Sequence, residues 1–149
     1  MDKVKPILWL DDDPTYTKAW CRALEKVGYT VTQVYTLSDA KKHLESGINY
    51  QLLILDIMIP TMTDEEDSEY PCEKTDEGMK TGLLFYCKYK DHLRHKNIPV
   101  LVTSSRTDPT IFQDFLESGL SAEAFETKFA LRDPKILVEK VIQLTRNSQ

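Results

Sequence analysis

The sequence has few cysteines and no long hydrophobic run. Its 149 residues include three cysteines, Cys21, Cys72 and Cys87, which form no C-x-x-C pair and leave at least one thiol unpaired in any disulfide scheme. Such a composition favours a reducing compartment. No apolar run approaches the roughly 18 residues that a membrane-spanning helix needs, and Ile7 to Leu10 is too short for a signal peptide. We therefore expect a cytoplasmic protein without membrane insertion.

The chain also lacks an excess of positive charge. It has 24 acidic and 19 basic residues, a net charge of −5 and a pI near 5.2, which argues against direct nucleic-acid binding. The acidic residues are concentrated between Thr61 and Gly78, where eight acids accompany one base, Lys74. That segment carries a net charge of −7 and the rest of the chain +2. One segment therefore makes the protein acidic.

The length and composition favour one folded domain over residues 1–149. Hydrophobic residues make up 41% and charged residues 29% of the chain, a balance typical of globular proteins. A domain of this size needs no disulfide or metal to complete its core. Because the chain begins with Met1 and ends in a polar tail, we expect a stand-alone domain.

Apolar strand-like runs alternate with helical patterns along the whole chain. Three of the helical patterns follow an Asp-Pro pair, which suits a helix start because aspartate caps the first N–H groups and proline fits the first turn. Five strand–helix units in succession predict a parallel sheet with helices on both faces. The predicted strands are Val4 to Leu10, Thr30 to Tyr35, Leu52 to Leu55, Ile98 to Val102 and Ala122 to Thr127, and the predicted helices begin near Pro14, Ser38, Lys80, Pro109 and Pro134.

Polar side chains follow four of these strands at the edge where α/β sheets carry their sites. The residues at these strand ends are Asp11, Asp12 and Asp13, then Asp56, Thr103 with Ser104, and Lys128. Packed carboxylates repel one another and need a cation, for which Mg²⁺ with oxygen ligands is the natural partner. An ammonium and a hydroxyl opposite would hold phosphoryl oxygens. The pattern therefore predicts phosphoryl chemistry at a carboxylate nucleophile.

Four segments around these residues resemble the receiver domain of two-component response regulators. The resemblance covers almost the whole chain, and the D-x-M-x-P stretch that begins at Asp56 is its most specific element. It implies a flavodoxin-like, doubly wound (βα)5 sheet in the order 2-1-3-4-5. The four segments are Ile7 to Pro14, Leu53 to Pro60, Val100 to Ser105 and Phe125 to Lys128.

The resemblance implies a role for each residue of the predicted site. Asp56 would accept a phosphoryl group from a sensor histidine kinase or a histidine phosphotransfer protein. Asp12, Asp56 and the Met58 carbonyl would hold Mg²⁺, with Asp11 acting mainly through water. Thr103 and Lys128 would contact the phosphoryl oxygens, and Thr103 would also act in the switch.

Phe125 occupies the aromatic switch position of the family. The resemblance implies a bacterial signalling domain that changes a partner-binding face on phosphorylation and acts on an unidentified downstream protein. It implies no enzyme activity beyond self-phosphorylation from small donors and self-dephosphorylation.

Two departures from the family pattern stand out. A glycine usually follows the phosphoacceptor closely, whereas the matching Gly82 lies 26 residues after Asp56, so the acidic segment Thr61 to Gly78 is an insertion after the third strand. We expect it to be either a surface loop or a lid near the mouth of the site that selects partners by charge. The usual Lys-Pro pair is here Lys128-Phe129, without the proline whose cis bond often positions the lysine.

Two other interpretations remain. The segment Asp11 to Thr15 fits the D-x-D-x-T nucleophile motif of haloacid-dehalogenase-type phosphatases, and Thr103 and Lys128 resemble that family's next two motifs. This interpretation leaves Asp56 unexplained. The other is a receiver-like interaction module that is not phosphorylated, which the insertion and the missing proline favour and the intact set of acids opposes.

Overall fold

The computed structural model describes residues 5–71, 74, 80–105 and 109–147. Its elements alternate along the chain as the sequence predicts. The strands are β1 (Lys5–Leu10), β2 (Tyr29–Val34), β3 (Leu52–Asp56), β4 (Val100–Ser104) and β5 (Phe125–Thr127), and the helices are α1 (Pro14–Lys26), α2 (Leu37–Leu44), α3 (Asp64–Glu69), α4 (Thr81–His95), α5 (Pro109–Glu117) and α6 (Pro134–Asn147), with a 3₁₀ turn at Ala122–Ala124.

The five described strands form one parallel sheet in the order β2-β1-β3-β4-β5. This order confirms the predicted flavodoxin-like topology. Along β3, Asp56 pairs with Thr103 of β4, and Ser104 of β4 pairs with Thr127 of β5. The polar residues at the carboxyl ends of the three strands therefore lie side by side.

The sheet separates two hydrophobic cores, one beneath α2, α4 and α5 and the other beneath α1 and α6. Strand β3 contributes to both, because Leu53 and Leu55 face the first core and Leu52 and Ile54 face the second. All four side chains are fully buried. A strand buried on both faces has no polar alternation, which explains the continuous apolar run before Asp56.

The strand and helix bounds agree with the sequence prediction to within two residues at most positions. Helix α2 begins at Leu37 rather than Ser38, because the hydroxyl of Thr36 accepts a hydrogen bond from the Asp39 N–H and so caps the helix. Helix α6 begins at Pro134 as predicted, and Asp133 accepts a hydrogen bond from the Lys135 N–H at 3.0 Å. Val4 and Asp108, which belong to predicted starts, lie outside the described residues.

The predicted strand Ala122 to Thr127 is wrong in its first half. Ala122–Ala124 forms a 3₁₀ turn closed by a hydrogen bond from the Ala124 N–H to the Ser121 carbonyl, and only Phe125–Thr127 pairs with β4. Two alanines and a glutamate have little preference for a strand, so the local hydrogen bond decides their conformation.

The first part of the acidic insertion packs on the domain as helix α3. Glu66 is only 3% exposed and accepts hydrogen bonds from the hydroxyl of Ser38 on α2, at 2.8 Å, and from the Met62 N–H. Tyr70 is 5% exposed and joins the core beneath α4. Of the remaining insertion residues, 72, 73 and 75–78 lie outside the described part of the chain.

The described helices include none with the length and apolar character that crossing a membrane requires.

Candidate functional site

Three carboxylates meet at the carboxyl ends of β1 and β3. Asp11, Asp12 and Asp56 each place a carboxylate oxygen within 4.8 Å of the others. Asp11 and Asp56 are buried, whereas Asp12 is exposed. Asp11 is held by the sheet, since its N–H donates to the Val34 carbonyl of β2 at 3.2 Å. Three of the four predicted acids thus form the cluster, with Asp12 open to solvent, whereas Asp13 lines the cavity beside it.

Lys128 closes the cluster from the end of β5. Its Nζ lies 2.9 Å from Asp11 Oδ2 and 3.1 Å from Asp56 Oδ2. Its own N–H donates to the Ser104 carbonyl at 2.7 Å, which extends the pairing of β5 with β4 by one residue. The lysine is only 9% exposed, so it serves this site and not the surface.

The turn after Lys128 is stabilised by hydrogen bonds where the family usually has proline. The Thr127 hydroxyl accepts from the Ala130 N–H at 3.1 Å, and the Thr127 carbonyl accepts from the Leu131 N–H at 3.2 Å. Sequence reasoning missed Thr127, although a threonine that ends a strand is a familiar turn former. The hydrogen bonds of Thr127 explain how Lys128 is positioned when Phe129 follows it.

Burial and crowding shift the pKa values of the site. Burial, reinforced by repulsion from Asp11, raises the pKa of Asp56 to about 6, although Lys128 and the Met58 N–H partly oppose the shift. Burial and the charge of Asp11 also raise the pKa of Asp12. Burial alone would lower the pKa of Lys128, but the carboxylates of Asp56 and Asp11 outweigh it, and the pKa is raised. The surroundings of Asp56 and Asp12 therefore favour the protonated, uncharged form of each carboxyl group.

The donor set fits a hard divalent cation. Three carboxylates lie within 4.8 Å of one another, and the ammonium of Lys128 contacts two of them, Asp11 and Asp56. Carboxylate oxygens at this spacing, with one face open to solvent, suit Mg²⁺, which keeps several waters and takes few protein ligands.

Thr103 provides a further polar group beside Asp56. Its hydroxyl is fully buried and has no hydrogen-bond partner within the part of the chain that the structure describes. A buried hydroxyl without a partner costs roughly 1–3 kcal/mol. Because Thr103 neighbours Asp56 in the sheet, an oxygen bound at Asp56 is a suitable partner.

An open cavity of about 390 Å³ gives access to the cluster. Met58 lines it, and the Met58 N–H donates to Asp56 Oδ1 at 3.2 Å. The role of the Met58 carbonyl as a metal ligand stays a prediction. None of the described insertion residues lines this cavity, and the role of the insertion as a lid stays a prediction. The lining residues are Asp12, Asp13, Asp56, Met58, Ser105 and Lys128.

The predicted switch residue Phe125 lies outside the cavity, against α5. Its ring centroid is 5.0 Å from that of Phe112 and 6.0 Å from that of Phe115. It is partly exposed and pairs in register with Val102, next to Thr103. Phe125 therefore lies between the strand position next to Thr103 and the aromatic rings of α5, and its role in a switch stays a prediction.

Gly82 explains how the insertion fits between β3 and α4. Its N–H donates to the Ile57 carbonyl at 2.7 Å, and a Cβ atom added to Gly82 would lie only 2.7 Å from Ile57 Cα. Only glycine permits this approach of α4 to the residue after Asp56. The chain therefore leaves the site at Met58 and returns to it at Gly82.

Comparison of the sequence with known proteins finds a relative over part of this chain. No family model matches the chain. The swarming motility regulation protein RssB of Serratia marcescens is 41% identical over 54 residues, which are 36% of this chain. The match spans about a quarter of RssB, 24% of its length.

Solved receiver domains superpose over nearly the whole chain. A CheY-like response regulator receiver domain protein from Methanospirillum hungatei has a TM-score of 0.71 at 20% identity. The superposition covers 98% of this chain and 97% of that protein. The receiver domain of Francisella response regulator 1452 has a TM-score of 0.69 at 18% identity, with coverage of 97% and 99%. A response regulator from Thermotoga maritima has a TM-score of 0.70 at 16% identity, with the same coverage. The predicted resemblance is confirmed: this chain has the receiver-domain fold.

Proposed function

We propose that this chain is a response-regulator receiver that accepts a phosphoryl group on Asp56 from a histidine kinase or a histidine phosphotransfer protein. The observation that carries the proposal is the joint placement of Asp56, Asp11 and Lys128. A buried carboxylate lies 3.1 Å from an ammonium that also contacts a second buried carboxylate. The Asp12 carboxylate and the buried hydroxyl of Thr103 complete the set.

In the proposed reaction, an ionised oxygen of Asp56 attacks the phosphorus of a phosphohistidine. A P–O bond forms while the P–N bond breaks, and the electron pair returns to the imidazole nitrogen of the donor, which takes up a proton. Lys128 remains protonated because its pKa is raised, and its ammonium neutralises charge on the transferred oxygens.

The residues that would hold Mg²⁺ are Asp11, Asp12, Asp56 and the Met58 carbonyl. When bound there, the ion would neutralise the carboxylates and the phosphoryl oxygens and orient the donor phosphate. The chain's own residues set the remaining geometry, since the Met58 N–H holds Asp56 Oδ1 and Lys128 holds Asp56 Oδ2.

In this proposal, the buried hydroxyl of Thr103 starts the conformational change that follows phosphorylation. We expect it to donate a hydrogen bond to a phosphoryl oxygen on Asp56, which would let Phe125 turn inward and change the face formed by α5, β5 and α6. A downstream protein in the cytoplasm of a bacterial cell would recognise that face. The domain would bind no nucleic acid directly and would catalyse only its own phosphorylation and dephosphorylation.

One experiment separates this proposal from the two alternatives. The wild type, Asp11→Asn and Asp56→Asn are incubated with a generic aryl phosphate and Mg²⁺, and in parallel with beryllofluoride and Mg²⁺. A receiver binds beryllofluoride through Asp56, and Asp56→Asn abolishes the binding. Sustained hydrolysis that depends on Asp11 and survives Asp56→Asn would instead identify a phosphatase. No beryllofluoride binding and no hydrolysis would identify an interaction module.

A further inference from the structure

A polar network lies behind the three aspartates, outside the cavity. Thr17 on α1 is fully buried, and its hydroxyl donates to Gln33 Oε1 on β2 at 2.7 Å. The Cys21 thiol, one helical turn further along α1, points to the same oxygen at 3.8 Å. Neither Thr17 nor Gln33 lines the cavity. They are therefore not candidates for direct contact with a ligand.

The two donors on α1 fix the orientation of the Gln33 amide. Because both point at Oε1, the oxygen faces α1 and the NH₂ group faces the end of β1. Gln33 Nε2 then donates to the Asp11 carbonyl at 3.5 Å. The Thr17 hydroxyl also lies 3.4 Å from the Asp13 carbonyl. The pair thus contacts both ends of the acidic turn, which we define as Asp11 to Asp13.

The acidic turn needs such support because its charges oppose one another. Carboxylate oxygens of Asp11 and Asp12 lie within 4.8 Å of each other, close enough for the two charges to repel. Other contacts also hold the turn: the Asp13 N–H donates to Asp11 Oδ1 at 2.9 Å, and Lys128 Nζ lies 2.9 Å from Asp11 Oδ2. The hydrogen bond from Gln33 to the Asp11 carbonyl holds the backbone of the turn, and so keeps the carboxylates close together before a cation binds.

We propose that Thr17 and Gln33 are positioning residues that preorganise the acidic turn for a divalent cation. This inference rests on the proposed function, since it concerns the same site. The amide of Gln33 orients the turn through the Asp11 carbonyl, and Thr17 orients the amide.

The test measures Mg²⁺ affinity on the full chain, with the metal alone as the probe. Thr17→Val removes the hydroxyl at nearly constant shape, and Gln33→Met removes the amide at similar length. Each should weaken Mg²⁺ binding roughly tenfold, as the loss of outer-shell support typically does. Thr17→Ser keeps the donor and should retain affinity near that of the wild type. Titration of the tryptophan fluorescence of the Trp9–Trp20 pair near the turn provides the measurement.

A second readout needs no metal. In the metal-free protein, amide chemical shifts of Asp12 and Asp13 should change in Thr17→Val and stay near wild-type values in Thr17→Ser. The inference is overturned if the wild type binds Mg²⁺ and Thr17→Val and Gln33→Met bind it equally well, or if both lose stability without losing affinity. If the wild type itself binds no Mg²⁺ and accepts no phosphoryl group, the proposed function fails instead.

Discussion

Lys128 Nζ lies 3.1 Å from Asp56 Oδ2, although 72 residues separate the two in the chain. The contact exists because β3 and β5 both pair with β4, which places their carboxyl ends on either side of Thr103. Asp56 is 4% exposed and Lys128 is 9% exposed, so water screens the pair poorly. The fold therefore brings a buried carboxylate and a positive charge together in a site that is partly shielded from water.

The first prediction concerns pH. Because burial raises the pKa of Asp56 from 3.8 to about 6, the folded metal-free protein keeps a proton that the unfolded chain releases. The unfolded state binds fewer protons between these values, so this site lowers the free energy of unfolding as pH rises through them. Asp56→Asn should remove that loss and stabilise the metal-free protein at pH 7 by up to about 3 kcal/mol.

Urea unfolding with a chelator, followed from pH 4 to pH 7.5, measures the effect. Glu65→Gln, which removes an exposed carboxylate on α3, is the matched control. A wild type that gains stability relative to Asp56→Asn as pH rises would contradict the assignment.

The second prediction concerns Gly82. In Gly82→Ala the new Cβ would meet Ile57 Cα at 2.7 Å and the Ile57 carbonyl at 3.0 Å, so α4 must shift away from the end of β3. We expect a loss of roughly 1–3 kcal/mol of stability and slower phosphorylation of Asp56, because the displaced backbone adjoins that residue. Urea unfolding and a phosphorylation time course measure the two effects.

The control for Gly82→Ala is Gly28→Ala. Gly28 has φ +100° and open space around its Cβ position, so alanine there costs only about 1 kcal/mol of backbone strain. It should leave phosphorylation unchanged. Equal phosphorylation rates in both variants would show that the approach of α4 does not shape the site.

The third prediction concerns the docked part of the insertion. Glu66→Ala removes the acceptor for the Ser38 hydroxyl and the Met62 N–H, so it should destabilise the domain by roughly 1–3 kcal/mol. Glu65→Ala, at the exposed neighbour, should change stability by less than about 0.5 kcal/mol. Chemical denaturation compares the two, and indistinguishable midpoints would mean that α3 is not docked in solution.

The fourth prediction concerns the switch. Beryllofluoride with Mg²⁺ should shift the amide resonances of Phe112, Phe115 and Phe125 as well as those of the cavity, because the Thr103 hydroxyl gains a partner beside β5. In Thr103→Val only the amide resonances of the residues that line the cavity should change. Wild-type shifts confined to the cavity would show that Phe125 does not respond to the site.

Much of this architecture could be predicted from the sequence because its signals are local. The doubly buried strand Leu52–Asp56 lacks polar alternation, and the Asp-Pro pairs mark helix starts directly. The insertion was harder, since its acidic composition argues for a loop. Glu66 accepts a hydrogen bond from Ser38 on α2, 28 residues away in the chain, a contact that the local sequence does not reveal. The network of Thr17 and Gln33 also depends on side chains that the fold brings together, and no short motif encodes it.

The central claim is that Asp56 accepts the phosphoryl group. Intact-mass analysis of the wild type, Asp56→Asn and Asp11→Asn after incubation with acetyl phosphate and Mg²⁺ tests it most directly. The account predicts the added mass of one phosphoryl group on the wild type, none on Asp56→Asn, and none when a chelator replaces Mg²⁺. Equal labelling of the wild type and Asp56→Asn, or a label that only Asp11→Asn abolishes, would contradict it.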